Sequence, residues 1–511
     1  MPGTPRTLWR YRPRRNAKTM LEPLAVRRAP MLTLAVLLFL AKCLQFAIDS
    51  TALFCSDSGA FVLNGLNLAF LPQRSYAYGY LLRIFAMPFH SLRAIVAMQL
   101  VMGGITAWLL GFVLVRYFKV RPGFAILAAL ALAFDPAQMV DEHMVMAETA
   151  AMLAMGWFLL LACRYLQEPR LWRLAWIAFA GIVLVSMRIV YLPPVLVVGA
   201  VLPLAAYFWS PAWPRTKGVR AVSVALVVSC TLTGFAHWGY RHLTGRLGWR
   251  EPAYHYATGF FLVASVAPLI RAGDTNDPRL SRAMVQTAFP LSDVTTRPRQ
   301  LWVDGGFVYQ IKAAFNGDMR ASNDAADRLA RTAIYRNPIG FLRLGIYTYL
   351  DYWKHLRKLR WSLPWEIGST ENSKLLPYDT WVISSTFGED VSHNSRLETP
   401  SRRFYLLARY WLLFLLISPF MAAVGLWSHP RERGDTLLAA AFLLIWSCLV
   451  ITSACLGAVE AVYRYLHPLS FTGLAAAALL SEELWQRRTQ LRPWWSRLRG
   501  AGWRATGDAN A

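Results

Sequence analysis

The residues that ask for a chemical explanation are charged side chains set at the ends of long apolar runs. Asp57, in Cys55-Ser56-Asp57-Ser58, directly follows one such run, and Glu148, in Met146-Ala147-Glu148-Thr149, opens another. Asp135, Asp141 and Glu142 share the turn with Glu148, and that turn holds no Lys or Arg. A carboxylate beside apolar walls has a raised proton affinity, so it can take a proton from an acceptor hydroxyl or amine. Glu148 also suits the first turn of a helix, where an acid complements the dipole. Asp135, Asp141 and Glu142 read as solvated loop acids. Arg188 lies between two apolar runs, and Arg464 lies in Val462-Tyr463-Arg464-Tyr465-Leu466-His467-Pro468. A guanidinium grips phosphate oxygens as a fork. The plainer role for each arginine is an ion pair with a nearby carboxylate, or an anchor that snorkels to the interface. Lys42 reads as a snorkelling residue.

The elements that must position these groups are membrane helices. Of 511 residues 56% are hydrophobic and only 16% charged, against about 25% charged in soluble proteins. Ala94 to Val115 and Leu438 to Val459 carry no charge at all. Such runs cross a hydrocarbon core as helices, because no water is there to satisfy the backbone. The pattern predicts an all-α polytopic membrane protein of about ten spans. They fall at 31–49, 93–115, 124–138, 149–163, 174–187, 190–209, 221–239, 404–427, 436–457 and 466–481.

Basic clusters set the orientation. The tail of residues 1–30, the groups around Arg116, Arg164, Arg215 and Arg431, and the tail 485–511 all fall on one side, which is cytoplasmic by this rule. The segment Ser50 to Leu92 is then outside. Its short apolar stretches, Phe61 to Leu71 and Tyr78 to Phe89, suit helices lying in the interface, with Arg74 and Arg83 between or within them. Residues 240–403 form one long extracytoplasmic insertion between a module at 31–239 and C-terminal spans at 404–484. Within it Asn323 to Tyr335 is amphipathic, and Pro338 to Trp353 resembles an interfacial helix.

Several classes drop out. The net charge of +25 sits at helix ends and tails, where it meets anionic lipid, so nucleic acid is not the partner implied. The six cysteines show neither metal spacing nor a C-x-x-C pair. His237, His242 and His255 form no ligand pattern. The apolar stretch from Met31 lacks a cleavage site and reads as a retained helix. Most tryptophans fall near helix ends, as in an aromatic belt.

The order of these features resembles the GT-C superfamily of membrane glycosyltransferases, in particular the branch holding protein mannosyltransferases and the lipid A aminoarabinose transferase. Asp57-Ser58 follows the first helix. Arg74-Ser75-Tyr76-Ala77-Tyr78-Gly79-Tyr80 is similar to an R-x-P-x-Y-P entry to interfacial helices, with Gly79 where that motif has proline. Gln99 follows in the second span. Asp135-Pro136 and Met146-Ala147-Glu148-Thr149 resemble an N-P … S-E-T run, Met187-Arg188 a T-R pair, and Arg464-Tyr465-Leu466-His467-Pro468 an R-Y-L-x-P motif. The likeness covers residues 31–239 and part of 436–484.

The resemblance implies an inverting transfer of sugar from a polyprenyl-phosphate donor to a lipid, glycan or protein acceptor. Asp57 is then the general base. Glu148, Arg74, Arg83, Arg188 and Arg464 contact substrate, with Arg188 or Arg464 on the phosphate. The first loop holds one acid where the family pairs two, so the need for a divalent metal is left open and no cofactor is assigned. The implied location is a bacterial cytoplasmic membrane, with both termini inside and the active side out. Two other readings remain: a transporter or flippase for a lipid-linked or anionic solute, and a membrane scaffold that binds a partner through 240–403. Clustering of charge at one face, without visible inverted repeats, favours the enzyme over the carrier.

Overall fold

The computed structural model describes residues 24–68, 74, 76–210, 218–248, 251–358, 375–393, 404, 407–428 and 434–504. The basic tails before 24 and after 504, Arg215, Lys217, Arg431 and Arg433 lie outside the described residues. Among the described residues every regular element is helical, and the only extended pairing is a single parallel bridge, Leu53 to Met144.

Each uncharged run folds as a helix where its ends allow. Helix α1 (Leu24–Ile48) stops before Asp49. Helices α2 (Ser58–Asn67) and α3 (Tyr76–Phe85) form the following loop and pack on each other. Helix α4 (Leu92–Arg116) is capped by Ser91, whose hydroxyl accepts the Arg93 N–H at 3.2 Å. Prolines at the first position start α5 (Pro122–Ala133) and α6 (Pro136–Asp141), where a missing N–H costs nothing. Then come α7 (Glu148–Gln167), α8 (Leu171–Met187), α9 (Leu192–Trp209) and α10 (Gly218–Leu247).

Among the described residues six helices are long and apolar enough to cross a membrane: Ala29–Ile48, Leu92–Arg116, Glu148–Gln167, Ile189–Phe208, Gly218–Leu247 and Ala440–Gly457. Pro122–Ala133, Leu171–Met187 and Tyr410–Gly425 are apolar but shorter. The described residues are therefore those of an all-α membrane protein, with six helices of spanning length among them against the ten spans expected. Peripheral helices show apolar side chains outward: Leu32, Phe39, Leu40, Leu44 and Ile48 of α1 are all exposed, as lipid contact requires.

The inner faces close tightly. A methyl group on Gly111 of α4 would overlap Leu34 of α1, so glycine sets that approach. Helix α4 packs on α1, α5 and α7, and α8 joins α7 to α10. The C-terminal helices α18 (Ala408–Ser428), α19 (Gly434–Gly457) and α21 (Leu469–Arg504) return to this set, because α21 packs along α5. The short α20 (Tyr463–Leu466) precedes α21.

Between α10 and α18 the helices α11 (Thr258–Ser265), α12 (Pro278–Gln286), α13 (Arg297–Trp302), α14 (Phe307–Ala314) and α15 (Met319–Arg336) gather around their own core of Phe260, Val263, Phe307, Ile311 and Leu329. The amphipathic stretch expected at 323–335 lies in α15, whose buried positions include Ala326, Leu329, Ala330 and Ala333. Helix α16 (Pro338–Lys358) packs on α19 and leaves Ile339, Leu342, Ile346 and Leu350 exposed along one side. That stripe suits an interfacial helix. Helix α17 (Pro377–Phe387) packs on α2.

Candidate functional site

One end of the bundle is stitched from segments far apart in sequence. Leu53 N–H donates to the His143 carbonyl at 2.8 Å, and Val145 N–H donates to the Leu53 carbonyl at 2.9 Å. Gln99 of α4 holds the same turn, donating from Nε2 to the carbonyls of Glu142 (3.1 Å) and Met144 (2.9 Å). The Tyr78 hydroxyl donates to Gln99 Oε1 at 2.7 Å and so ties α3 into the same network. Buried backbone groups need such partners. Satisfying them here sets the strand after α1 beside the turn before α7.

That stitching brings Asp57 and Glu148 to one place, and three arginines converge on them. Arg74 pairs with Asp57, and Arg188 pairs with Glu148. Arg464 bridges the two acids, with Nη2 3.5 Å from Asp57 Oδ2 and Nε 4.0 Å from Glu148 Oε1. Tyr465 lies beneath both basic groups, its ring 5.4 Å from the Arg188 guanidinium and 5.8 Å from that of Arg464. Among the described residues three guanidiniums face two carboxylates here. Glu148 is 3% exposed and its Oε2 accepts no hydrogen bond among the described residues. The arrangement is suited to an anion that can take over an arginine, and to a hydroxyl that can donate to Glu148.

The proton affinity of Asp57 is not raised, contrary to the expectation from its apolar surroundings. Burial pushes its carboxyl up, but Arg74, Arg464 and Arg188 together outweigh burial and hold it below the usual carboxylate range. As it stands Asp57 is an ionised, well-neutralised carboxylate. Its proton affinity rises only when those cations are engaged elsewhere.

Other sequence-based assignments are relocated. Arg83 does not join the cluster. It donates to the Gly65 (3.1 Å) and Leu66 (2.9 Å) carbonyls, closing the C-terminus of α2. Asp135, Asp141 and Glu142 are not solvated: they are 0%, 5% and 0% exposed. Lys42 does not snorkel. Its Nζ donates to Glu142 Oε1 (2.8 Å) and Oε2 (2.7 Å), to Gln45 Oε1 (3.0 Å) and to the Ala133 carbonyl (2.9 Å). Glu142 in turn occupies the space a side chain on Gly103 would need.

Two contributors escaped the sequence reading. Asp379, on α17, is buried, and its carboxylate fills the space beside Gly59 in the first turn of α2, two residues after Asp57. Burial holds the Asp379 carboxyl above the usual range. Nothing local marks it, because its neighbour lies more than three hundred residues away. His467 is the other; its place beside Arg464 in one short motif was its only signal. Among the described residues no three His, Cys, Asp or Glu side chains come together as a metal site. The six cysteines are free thiols. No family model, curated protein or solved structure matches the chain.

Proposed function

We propose that this protein is a membrane glycosyltransferase of GT-C type. In this reading it moves a sugar from a polyprenyl-phosphate donor to an acceptor on the extracytoplasmic face, with inversion. The observation that carries the reading is the convergence of Asp57, Glu148, Arg74, Arg188 and Arg464 at one end of a bundle of membrane helices. The reading includes ten spans, cytoplasmic termini, an extracytoplasmic insertion and a bacterial inner-membrane location. A lipid-borne phosphate reaches such a site with its chain still in the bilayer.

The chemistry follows from the charges. The donor phosphate displaces Asp57 and Glu148 as partner of Arg464 and Arg188; Asp57 keeps Arg74 but loses part of its neutralising charge and gains an anion beside it, and both raise its proton affinity. The acceptor hydroxyl or amine gives its proton to Asp57 as its oxygen or nitrogen attacks the anomeric carbon. The bond from that carbon to the phosphate oxygen breaks on the opposite face. The polyprenyl phosphate leaves with its charge held by the arginines. A sugar hydroxyl supplies the missing donor to Glu148 Oε2.

The test uses purified protein, a labelled polyprenyl-phosphate sugar and Arg464 variants. Arg464→Lys keeps charge and loses the fork, so transfer falls, and Arg464→Ala lowers it further. Full transfer by the Ala variant at equal protein level would remove Arg464 from the mechanism.

One observation favours a carrier instead. The Lys42–Glu142 pair is buried between α1 and the turn before α7, and charges enclosed by membrane helices also serve coupled transport. Movement of a lipid-linked or anionic solute across a vesicle wall, with its sugar–phosphate bond intact, would select that reading.

A further inference from the structure

The segment that carries Arg464 also carries His467, and His467 is held by two acids of α6. Its Nδ1 lies 3.0 Å from Asp141 Oδ2 and its Nε2 lies 3.4 Å from Asp135 Oδ2, the second an ionic contact rather than an aligned hydrogen bond. Asp135 and Asp141 stand at the two ends of a six-residue helix, about 9 Å apart along its axis. An imidazole laid between them meets one acid with each nitrogen. Each nitrogen thus faces a carboxylate oxygen, an arrangement that suits the ring as an imidazolium.

The three side chains are enclosed, at 1%, 0% and 7% exposed. Asp135 is fixed on its other sides by the Ala137 N–H (2.8 Å) and the Ser470 hydroxyl (2.6 Å). Ser470 accepts in turn from Trp411 Nε1 of α18 at 2.9 Å. Tyr463 stacks on the His467 ring, and Tyr191 neighbours Asp141. Among the described residues the ring forms ion pairs with these two acids alone.

This clamp joins the two halves of the site. Helix α6 runs into the turn that is stitched to Leu53 and ends at Glu148. The segment 462–467 brings Arg464, and its far end is held by the Tyr352 hydroxyl, which donates to the Val462 carbonyl at 3.0 Å. Arg464 sits between these two attachments.

We propose that His467, clamped as an imidazolium between Asp135 and Asp141, is the positioning residue that holds Arg464 over Asp57 and Glu148. The inference rests on the glycosyltransferase reading for what the site is used for, but not for the geometry.

The test needs no ligand. Full-length protein in detergent micelles is treated with phenylglyoxal, and modification of Arg464 is measured by mass spectrometry as a ratio to Arg297, which is 3% exposed and belongs to α13. His467→Gln raises the Arg464 ratio several-fold. Adding Asp141→Asn removes the uncompensated acid and returns the ratio toward the parent. If His467→Gln unfolds the protein, Arg297 reacts as well, and Asp141→Asn alone, which removes one side of the clamp, is then read by the same ratio and should raise it. A folded His467→Gln or Asp141→Asn variant with the parent ratio overturns the inference. Failure of the parent to bind a polyprenyl monophosphate would instead sink the functional reading and leave the clamp standing.

Discussion

Replacing Asp57 by Asn separates catalysis from binding at this site, because the two should move in opposite directions. The amide keeps the shape of the carboxylate but takes no proton. Turnover of a polyprenyl-phosphate sugar should fall about 10²-fold or more, the scale of a lost general base. Anion binding should improve. Asp57 neutralises Arg464 at 3.5 Å and Arg74 more closely, so removing its charge leaves the three guanidiniums with one carboxylate fewer. A unit charge pair at about 4 Å is worth at most about 4 kcal/mol in a medium of effective dielectric 20. Asp57 and Arg464 are 14% and 21% exposed, so solvent screens much of that. A retained gain of about 1–2 kcal/mol lies between exposed and buried pairs, which is about 5- to 30-fold in Kd. The assay pairs single-turnover transfer with equilibrium binding of a polyprenyl monophosphate in micelles. There is also a pH signature. The Asp57 carboxyl is depressed on folding, so its contribution to stability is present above its ordinary value of 3.8 and lost as pH falls through the lower folded value. The Asn variant should lack that component of acid destabilisation. Parent-like turnover, or reduced turnover together with weaker phosphate binding, would refute the reasoning.

Lys42→Met leaves Glu142 as a buried acid without its cation and should destabilise by about 3–5 kcal/mol; the double variant with Glu142→Gln should recover most of that in thermal unfolding, and a Lys42→Met protein as stable as the parent would contradict the buried pair. Gly59→Ala places a methyl group where the Asp379 carboxylate now lies, so α17 should lift from α2 and hydrogen exchange at 377–387 should speed up; Asp379→Ala in the same background should relieve it. Val285 on α12 is 86% exposed, so Val285→Cys in intact cells should react with an impermeant maleimide if the insertion is extracytoplasmic. Reaction only after permeabilisation would reverse the orientation and remove the proposed site from the outer face.

The helices and their apolar character were legible from sequence alone, because chain with no water to bond must satisfy its own backbone, and long uncharged runs leave no other solution. Asp57, Glu148, Arg188 and Arg464 stood out for the same reason: a charge at the edge of such a run needs a partner. Which partner, and what the pairing does to each group, was decided only by tertiary structure. Arg83 and Arg74 look alike in sequence, yet one closes the end of α2 and the other meets Asp57. Asp135, Asp141 and Glu142 read as loop acids until the fold sets His467 and Lys42 against them. Asp379 had no local mark at all. The direction in which the Asp57 carboxyl moves reversed for one physical cause. Burial is a local property that apolar neighbours in sequence foretell, whereas the field of three arginines arises only when segments as distant as 57 and 464 come within a few ångströms.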